Sequence, residues 1–154
     1  MLQANKQAFD LIIADLPDPN NSGLARLYSK QFYSLVRDNL LPGGLFVTQA
    51  TSPYFAPQAY KSIEKTVGAS GFANLYPYHV NVPSFGDWGF VLASDAKLNM
   101  TKPILAVETR YLDEKNIGKH FSLDKDTAAG DVGVNTLDRP VLLDYYLAGW
   151  QNYR

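Results

Sequence analysis

Residues 9–21 read FDLIIADLPDPNN. Leu11, Ile12, Ile13 and Ala14 form a continuous apolar run, which predicts a strand covered on both faces, as in a parallel sheet. Asp15 closes the run, and Pro17 and Pro19 stiffen the backbone around Asp18. Ligands of open α/β sheets bind beyond the carboxyl ends of strands, so both aspartates stand where a ligand would be met. Two carboxylates on a stiff loop suit a cation such as an alkylammonium. An amine with a pKa of about 10 is protonated at neutral pH and cannot act as a nucleophile until it loses a proton. A neighbouring carboxylate can accept that proton. The same residues also make an ordinary Asp-Pro turn leading into a helix N-cap, and spacing alone leaves both readings open.

Working outward, residues 23–44 (GLARLYSKQFYSLVRDNLLPGG) carry Leu24, Leu27, Tyr28, Phe32, Leu35, Val36 and Leu40 at amphipathic-helix spacing. Pro42, Gly43 and Gly44 are read as its stop. GLFVTQAT is a second strand. APQAYKSIEKTVGASGF is a helix with Pro57 near its start, Gly71 near its end and Ala59, Tyr60, Ile63 and Val67 inside. NLYPYHVNV and WGFVLAS are two further strands joined by PSFGD. The alternation predicts an α/β fold with a parallel sheet and a closing β-hairpin. Beyond it, DAKLNMTKP reads as a linker. VETRYLDEKNIGKHF and RPVLLDYYLAGWQNYR read as helices flanking a solvated loop. The expected organisation is a catalytic unit over residues 1–95 and a helical extension over 96–154 packed on it.

Composition narrows the function. The 154 residues are 46% hydrophobic and 19% charged, with 14 basic and 15 acidic side chains and a net charge of -1. This balance gives no electrostatic case for binding nucleic acid. With no cysteine, disulfide and thiolate chemistry are excluded. No apolar run approaches the ~18 residues of a membrane span, and the first ten residues lack a signal-peptide core, so a soluble, cytoplasmic chain is expected. The N-x-[ST] triplets at Asn20 and Asn99 are read as chance. His79 and His120 are the two histidines and form no metal-ligand spacing, so no metal is expected. There is no G-x-S-x-G elbow, no complete calcium loop and no G-x-G-x-x-G.

Three further places can carry chemistry. Phe85 and Trp88 in VPSFGDWGF offer aromatic faces to a cation or an alkyl chain, although core aromatics of a hairpin would look the same. Gln49 sits at a strand end, where its amide can reach a ligand. Tyr54 and Phe55 in TSPYFAP can form a pocket wall, with Ser52 as a helix cap.

Taken in order, FDLIIADLPDP, LYSKQFYSLVRDNLLPGGLFVTQATSPYF and PYHVNVPSFGDWGFVLAS resemble the C-terminal half of the polyamine aminopropyltransferases, the spermidine synthases. The tail, TRYL followed by NTLDRPVLLDYYLAGW, is most similar to a bacterial branch in which the catalytic domain is often fused behind transmembrane helices. The resemblance implies the C-terminal portion of a Rossmann-like, methyltransferase-type sheet. It implies aminopropyl transfer from decarboxylated S-adenosylmethionine, a co-substrate, to putrescine, giving spermidine and methylthioadenosine with no tightly bound cofactor. Asp15 then matches the general base, and Asp15 and Leu16 lie on the donor side. Asp18, Gln49, Tyr54, Phe85 and Trp88 fall on the polyamine side. Phe85 stands where many members have tyrosine, in a shorter loop. The family's donor-binding motifs precede the strand at Leu11, so the chain is expected to begin mid-domain. It is therefore expected to need a complementing N-terminal half or to form a homodimer, and to bind the donor poorly alone. The rival readings are a methyltransferase fragment of the same fold and a non-catalytic α/β interaction module.

Overall fold

Four strands form one mixed sheet in the order β1-β2-β4-β3. They are β1 (Phe9–Ala14), β2 (Leu40–Gln49), β3 (Asn74–Val82) and β4 (Gly86–Ser94) in a computed structural model that describes residues 8–100, 105–151 and 153. Residues 1–7, where a signal segment was sought, 101–103 of the expected linker, and 152 and 154 of the expected last helix lie outside the described residues.

β1 and β2 are parallel, with Leu11 opposite Leu45 and Ala14 opposite Thr48. The expected hairpin is present, but its second strand does not close the sheet at an edge. β4 runs antiparallel between β2 and β3, so β1 and β2 are the one parallel pair of neighbours. The tight turn after Val82 forces β4 to return along β3, and the crossover through α3 (Pro57–Ala69) leaves a one-strand gap that β4 fills.

The single helix expected from residue 23 is two, α1 (Ser22–Arg26) and α2 (Lys30–Arg37). Each has its own N-cap: Asn21 Oδ1 accepts from Leu24 N at 3.0 Å, and Ser29 Oγ accepts from Phe32 N at 3.3 Å. Such caps contribute about 1 kcal/mol each, enough to break an otherwise continuous apolar stripe. Pro42, Gly43 and Gly44 stop no helix. They belong to a bulge in β2, where Phe9 is opposite Leu40 but Leu11 is already opposite Leu45. A Cβ at Gly44 would lie 2.9 Å from Leu41 O and 3.0 Å from Phe9 O, so only glycine fits there. α3 follows the sequence reading, with Pro57 in its first turn and Ala59, Tyr60, Ile63 and Val67 buried. The core joins these residues to Tyr33, Val36, Phe46, Phe72 and Val91, and the Phe46 and Phe72 rings stack at 5.7 Å.

The covering of β1 departs from expectation. Ala14 is buried, but Leu11 is 48% and Ile13 65% exposed. β1 is an edge strand, and nothing among the described residues covers the face that these two side chains occupy.

In the tail, VETRYLDEKNIGKHF is not an α-helix. It holds a 3₁₀ turn at Ile117–Phe121. Asp113 Oδ1 accepts from Lys115 N and Asn116 N at 2.8 and 2.7 Å, while Asn116 Oδ1 accepts from Asp113 N. These local bonds take the amides a helix would need. The last helix, α4 (Leu142–Gln151), forms as expected and packs on α3. Asn135, fully buried, fastens the loop before it. Its Nδ2 donates to Ala25 O at 2.7 Å, and its Oδ1 accepts from Leu142 N at 3.2 Å. Its backbone accepts from Lys30 N and donates to Thr66 Oγ1.

Candidate active site

Because Ala14 is level with Thr48, Asp15 comes level with Gln49, and Gln49 pairs with Phe90 across β2 and β4. The loop after β1, the end of β2 and the β3–β4 hairpin thus meet at one end of the sheet. A cleft of about 810 Å³ opens there. Asp15, Leu16 and Asp18 line it from the loop, Gln49 from β2, and Val82, Ser84 and Phe85 from the hairpin. β4 adds Trp88 and Phe90, the turn before α3 adds Phe55, and α4 adds Tyr146 and Trp150. Six of these twelve side chains are aromatic, two are carboxylates and none is basic.

Gln49 is the hub. Its Nε2 donates toward Leu16 O at 2.9 Å, Asp18 Oδ1 at 3.1 Å and Tyr28 Oη at 2.6 Å. Its Oε1 accepts from Thr51 N at 2.6 Å and Trp88 Nε1 at 3.2 Å. Thr51 adopts a left-handed φ of 57°, rare for a β-branched residue. Its N–H is thereby turned to Gln49, while its carbonyl accepts from Gly89 N at 2.7 Å. Gly89 must be glycine, since a Cβ would lie 2.4 Å from the Tyr60 ring and 2.8 Å from Thr51 O. Tyr28, fully buried, donates to the carbonyls of Leu16 and Pro17 and fixes the turn between the aspartates. Burial raises its phenol pKa, so it stays neutral and remains a donor.

The two aspartates differ. Asp18 is half-buried, with Oδ1 bonded to Gln49 and Oδ2 to the Tyr146 hydroxyl at 3.0 Å. Burial raises its carboxyl pKa above the ordinary 3.8, and the bonds from Gln49 and Tyr146 oppose that rise. Asp15 is exposed at the rim and has no hydrogen bond to another described residue, so its lone pairs face the cleft unengaged.

Of the residues singled out in the sequence, Asp15, Leu16, Asp18, Gln49, Phe85 and Trp88 come together in the cleft. Tyr54 does not. It is 46% exposed and lies behind its neighbour, its ring 5.3 Å from Phe55 and 6.1 Å from Tyr153. Phe55 takes the wall position instead. Tyr146 and Trp150 were missed, though their four-residue spacing in YYLAGW puts them on one helix face. Gly149 lets that face approach: a Cβ there would lie 2.7 Å from Ala56 Cα and 2.8 Å from Phe55 O. His79 stands outside the cleft lining, its Nδ1 2.7 Å from Asp87 Oδ1 and its Nε2 3.0 Å from Ser122 O. Among the described residues no cluster of His, Cys, Asp or Glu suits a metal ion, and no helix is long and apolar enough to cross a membrane.

The strand order and the acidic, aromatic cleft at the strand ends make this an α/β domain with a ligand-sized cleft beyond its parallel strand pair. The family model of the spermine/spermidine synthase domain matches residues 1–103, and the chain belongs to that family. It is 40% identical over 156 aligned residues to the polyamine aminopropyltransferase of Oceanobacillus iheyensis, covering 99% of this chain and 30% of that protein. Identity to polyamine aminopropyltransferase 1 of Streptomyces coelicolor is also 40%, with 99% and 29% covered. The chain thus spans under a third of the length of these relatives. Its fold matches spermidine synthase from Thermotoga maritima with a TM-score of 0.64 at 22% identity, over 80% of this chain and 43% of that one. It also matches a spermidine synthase in complex with the transition-state analogue AdoDATO, with a TM-score of 0.61 at 19% identity, over 80% and 42%. The fold is therefore the methyltransferase-like one of the spermidine synthases.

Proposed function

We propose that this chain forms the amine-acceptor side of an aminopropyltransferase site, in which a diamine such as putrescine attacks decarboxylated S-adenosylmethionine to give spermidine and methylthioadenosine. The observation that carries the reading is the lining of the cleft: two carboxylates, six aromatic rings and no basic side chain. That combination suits an alkylammonium, whose charge meets carboxylates and whose methylenes lie on aromatic faces. Asp18, held at both oxygens, orients the ammonium end, and Gln49 keeps the loop at the strand ends in register. Asp15, unengaged at the rim, accepts one proton as the nitrogen attacks the carbon next to sulfur. The new N–C bond forms as the C–S bond breaks, and its electron pair stays on sulfur as a neutral thioether. The sulfonium is already a good leaving group, so alignment and one proton transfer are what the protein supplies.

The donor's adenosine side is contributed from beyond the described residues. The free edge of β1, with Leu11 and Ile13 exposed, supports pairing there with the strands that carry it. The test is release of methylthioadenosine from decarboxylated S-adenosylmethionine and 1,4-diaminobutane by protein containing both halves of the sheet. Asp15→Asn should lower kcat by ~10²–10⁴. Undiminished turnover in the variant would refute the role of Asp15. Methyl transfer from S-adenosylmethionine in place of aminopropyl transfer would refute the reaction.

A further inference from the structure

Asp18 is the one cleft carboxylate with both oxygens engaged, and its two partners come from very different places. Gln49 belongs to the sheet. Tyr146 belongs to α4, and its bond to Asp18 spans 128 positions of chain. A carboxylate offers about four acceptor directions. Gln49 and Tyr146 occupy two of them and fix the plane of the group, which leaves the remaining lone pairs for a ligand in the cleft. The groups facing Asp18 are Asp15 on its own loop, Tyr28 beside α1, and Tyr146 on α4. β2 and β4 present the neutral side chains of Gln49 and Trp88, and no cation lines the cleft. Tyr146 is thus an orienting donor on a helix that also delivers Trp150 to the aromatic wall, where the Trp150 ring lies 5.1 Å from Phe55 and 6.5 Å from Trp88.

We propose that α4 is a built-in part of the acceptor site and that Tyr146 is a positioning residue, which holds the Asp18 carboxylate in a fixed plane aimed at the ammonium of the incoming diamine. This rests on the acceptor reading above. The hydroxyl stabilises the charged form of a carboxyl that burial pushes toward neutrality. Tyr146→Phe removes that donor and keeps the ring.

The experiment titrates this chain with 1,4-diaminobutane by calorimetry at a series of pH values, for the wild type, Tyr146→Phe and Leu147→Ala. Leu147 is a partly exposed α4 residue outside the cleft. The carboxyl titration of Asp18 is followed in parallel by carbon NMR of labelled aspartate. Tyr146→Phe should weaken binding about tenfold, and both the acid limb of binding and the Asp18 titration should move to higher pH. Leu147→Ala should change neither. If Tyr146→Phe loosens α4, 3-fluorotyrosine at position 146, a stronger donor of similar size, should move both readouts the opposite way. Diamine binding that is unaltered in affinity and pH dependence by either change overturns the positioning role and leaves the acceptor reading standing. Failure of the wild-type chain to bind diamine overturns both.

Discussion

Replacing Asn135 by alanine tests whether α4 is held by one buried amide. The substitution strands one backbone group, Leu142 N, which loses its 3.2 Å bond to Oδ1, and takes from Ala25 O the 2.7 Å bond from Nδ2, leaving it the 3.2 Å bond from Tyr28 N. Ala25 and Leu142 are both fully buried, so water does not readily replace the lost partner. An unsatisfied buried backbone group costs about 1–3 kcal/mol and the net loss of one bond from a group that keeps another about 0.5–1.5 kcal/mol, which puts the loss at about 1.5–4.5 kcal/mol. For a chain of this size each kcal/mol moves Tm by roughly 2–4 °C, so a mid-range loss of about 3 kcal/mol lowers it by roughly 6–12 °C. The damage is directional, because Leu142 opens α4 and α4 carries Tyr146 and Trp150. Asn135→Asp keeps an acceptor for Leu142 N but sets a carboxylate against Ala25 O, and it should be at least as harmful at neutral pH. Thermal and urea unfolding followed by circular dichroism supply the magnitude, and tryptophan fluorescence reports Trp150. A loss below about 1 kcal/mol for Asn135→Ala, within the range of an unremarkable surface change, would refute the view that this amide is the fastening.

Two other consequences can be checked on the same protein. Gly149→Ala forces a methyl to within 2.7–2.9 Å of Ala56 and Phe55 O, mostly against backbone, so α4 must back away. A destabilisation of about 1–3 kcal/mol is expected, together with weakened diamine binding. Wild-type-like values of both would show that the helix does not sit this close. His79 supplies a pH dependence. Burial opposes charging of its ring, but the bonds to Asp87 and Ser122 O and the charge of Asp87 outweigh it, raising the pKa above the ordinary 6.5. A raised folded-state pKa gives stability that is fully present below about pH 6.5 and lost as pH rises through the folded value. The difference in Tm between wild type and His79→Gln should therefore shrink from acid toward alkaline pH, and a constant difference would exclude the linkage.

How far the sequence could be read follows from the distance over which each feature is determined. β1 to β4 and α3 were legible because apolar runs, Pro57 and the hairpin turn act within a few residues. The split between α1 and α2 was also local, since Ser29 caps the second helix, but the apolar spacing through Leu27, Tyr28 and Phe32 hid it. Pro42, Gly43 and Gly44 looked like a helix stop because proline and glycine carry the same signal at a bulge. Residues 107–121 looked helical until Asp113 and Asn116 are seen taking one another's amides. In the cleft, Asp15, Asp18, Gln49, Phe85 and Trp88 could be found because each lies at a strand end or turn. Tyr146 and Trp150 could not be assigned to it, because only tertiary packing through Gly149 and Asn135 brings α4 there.

The bond from Tyr146 to Asp18 also bears on the order in which the molecule is made. The entropy of closing so long a loop is modest, since each doubling of length adds only about 0.6 kcal/mol. Its kinetic cost is larger, because sequence-distant contacts form late. A chain growing from its N-terminus displays Asp15, Asp18, Gln49 and the hairpin long before residue 146 leaves the ribosome. Through that interval the aspartates face an open trough rather than a walled cleft. The walled cleft is then acquired only when α4 docks, and until that step Asp15, Asp18 and Gln49 stand at the strand ends without Tyr146 and Trp150 to enclose them.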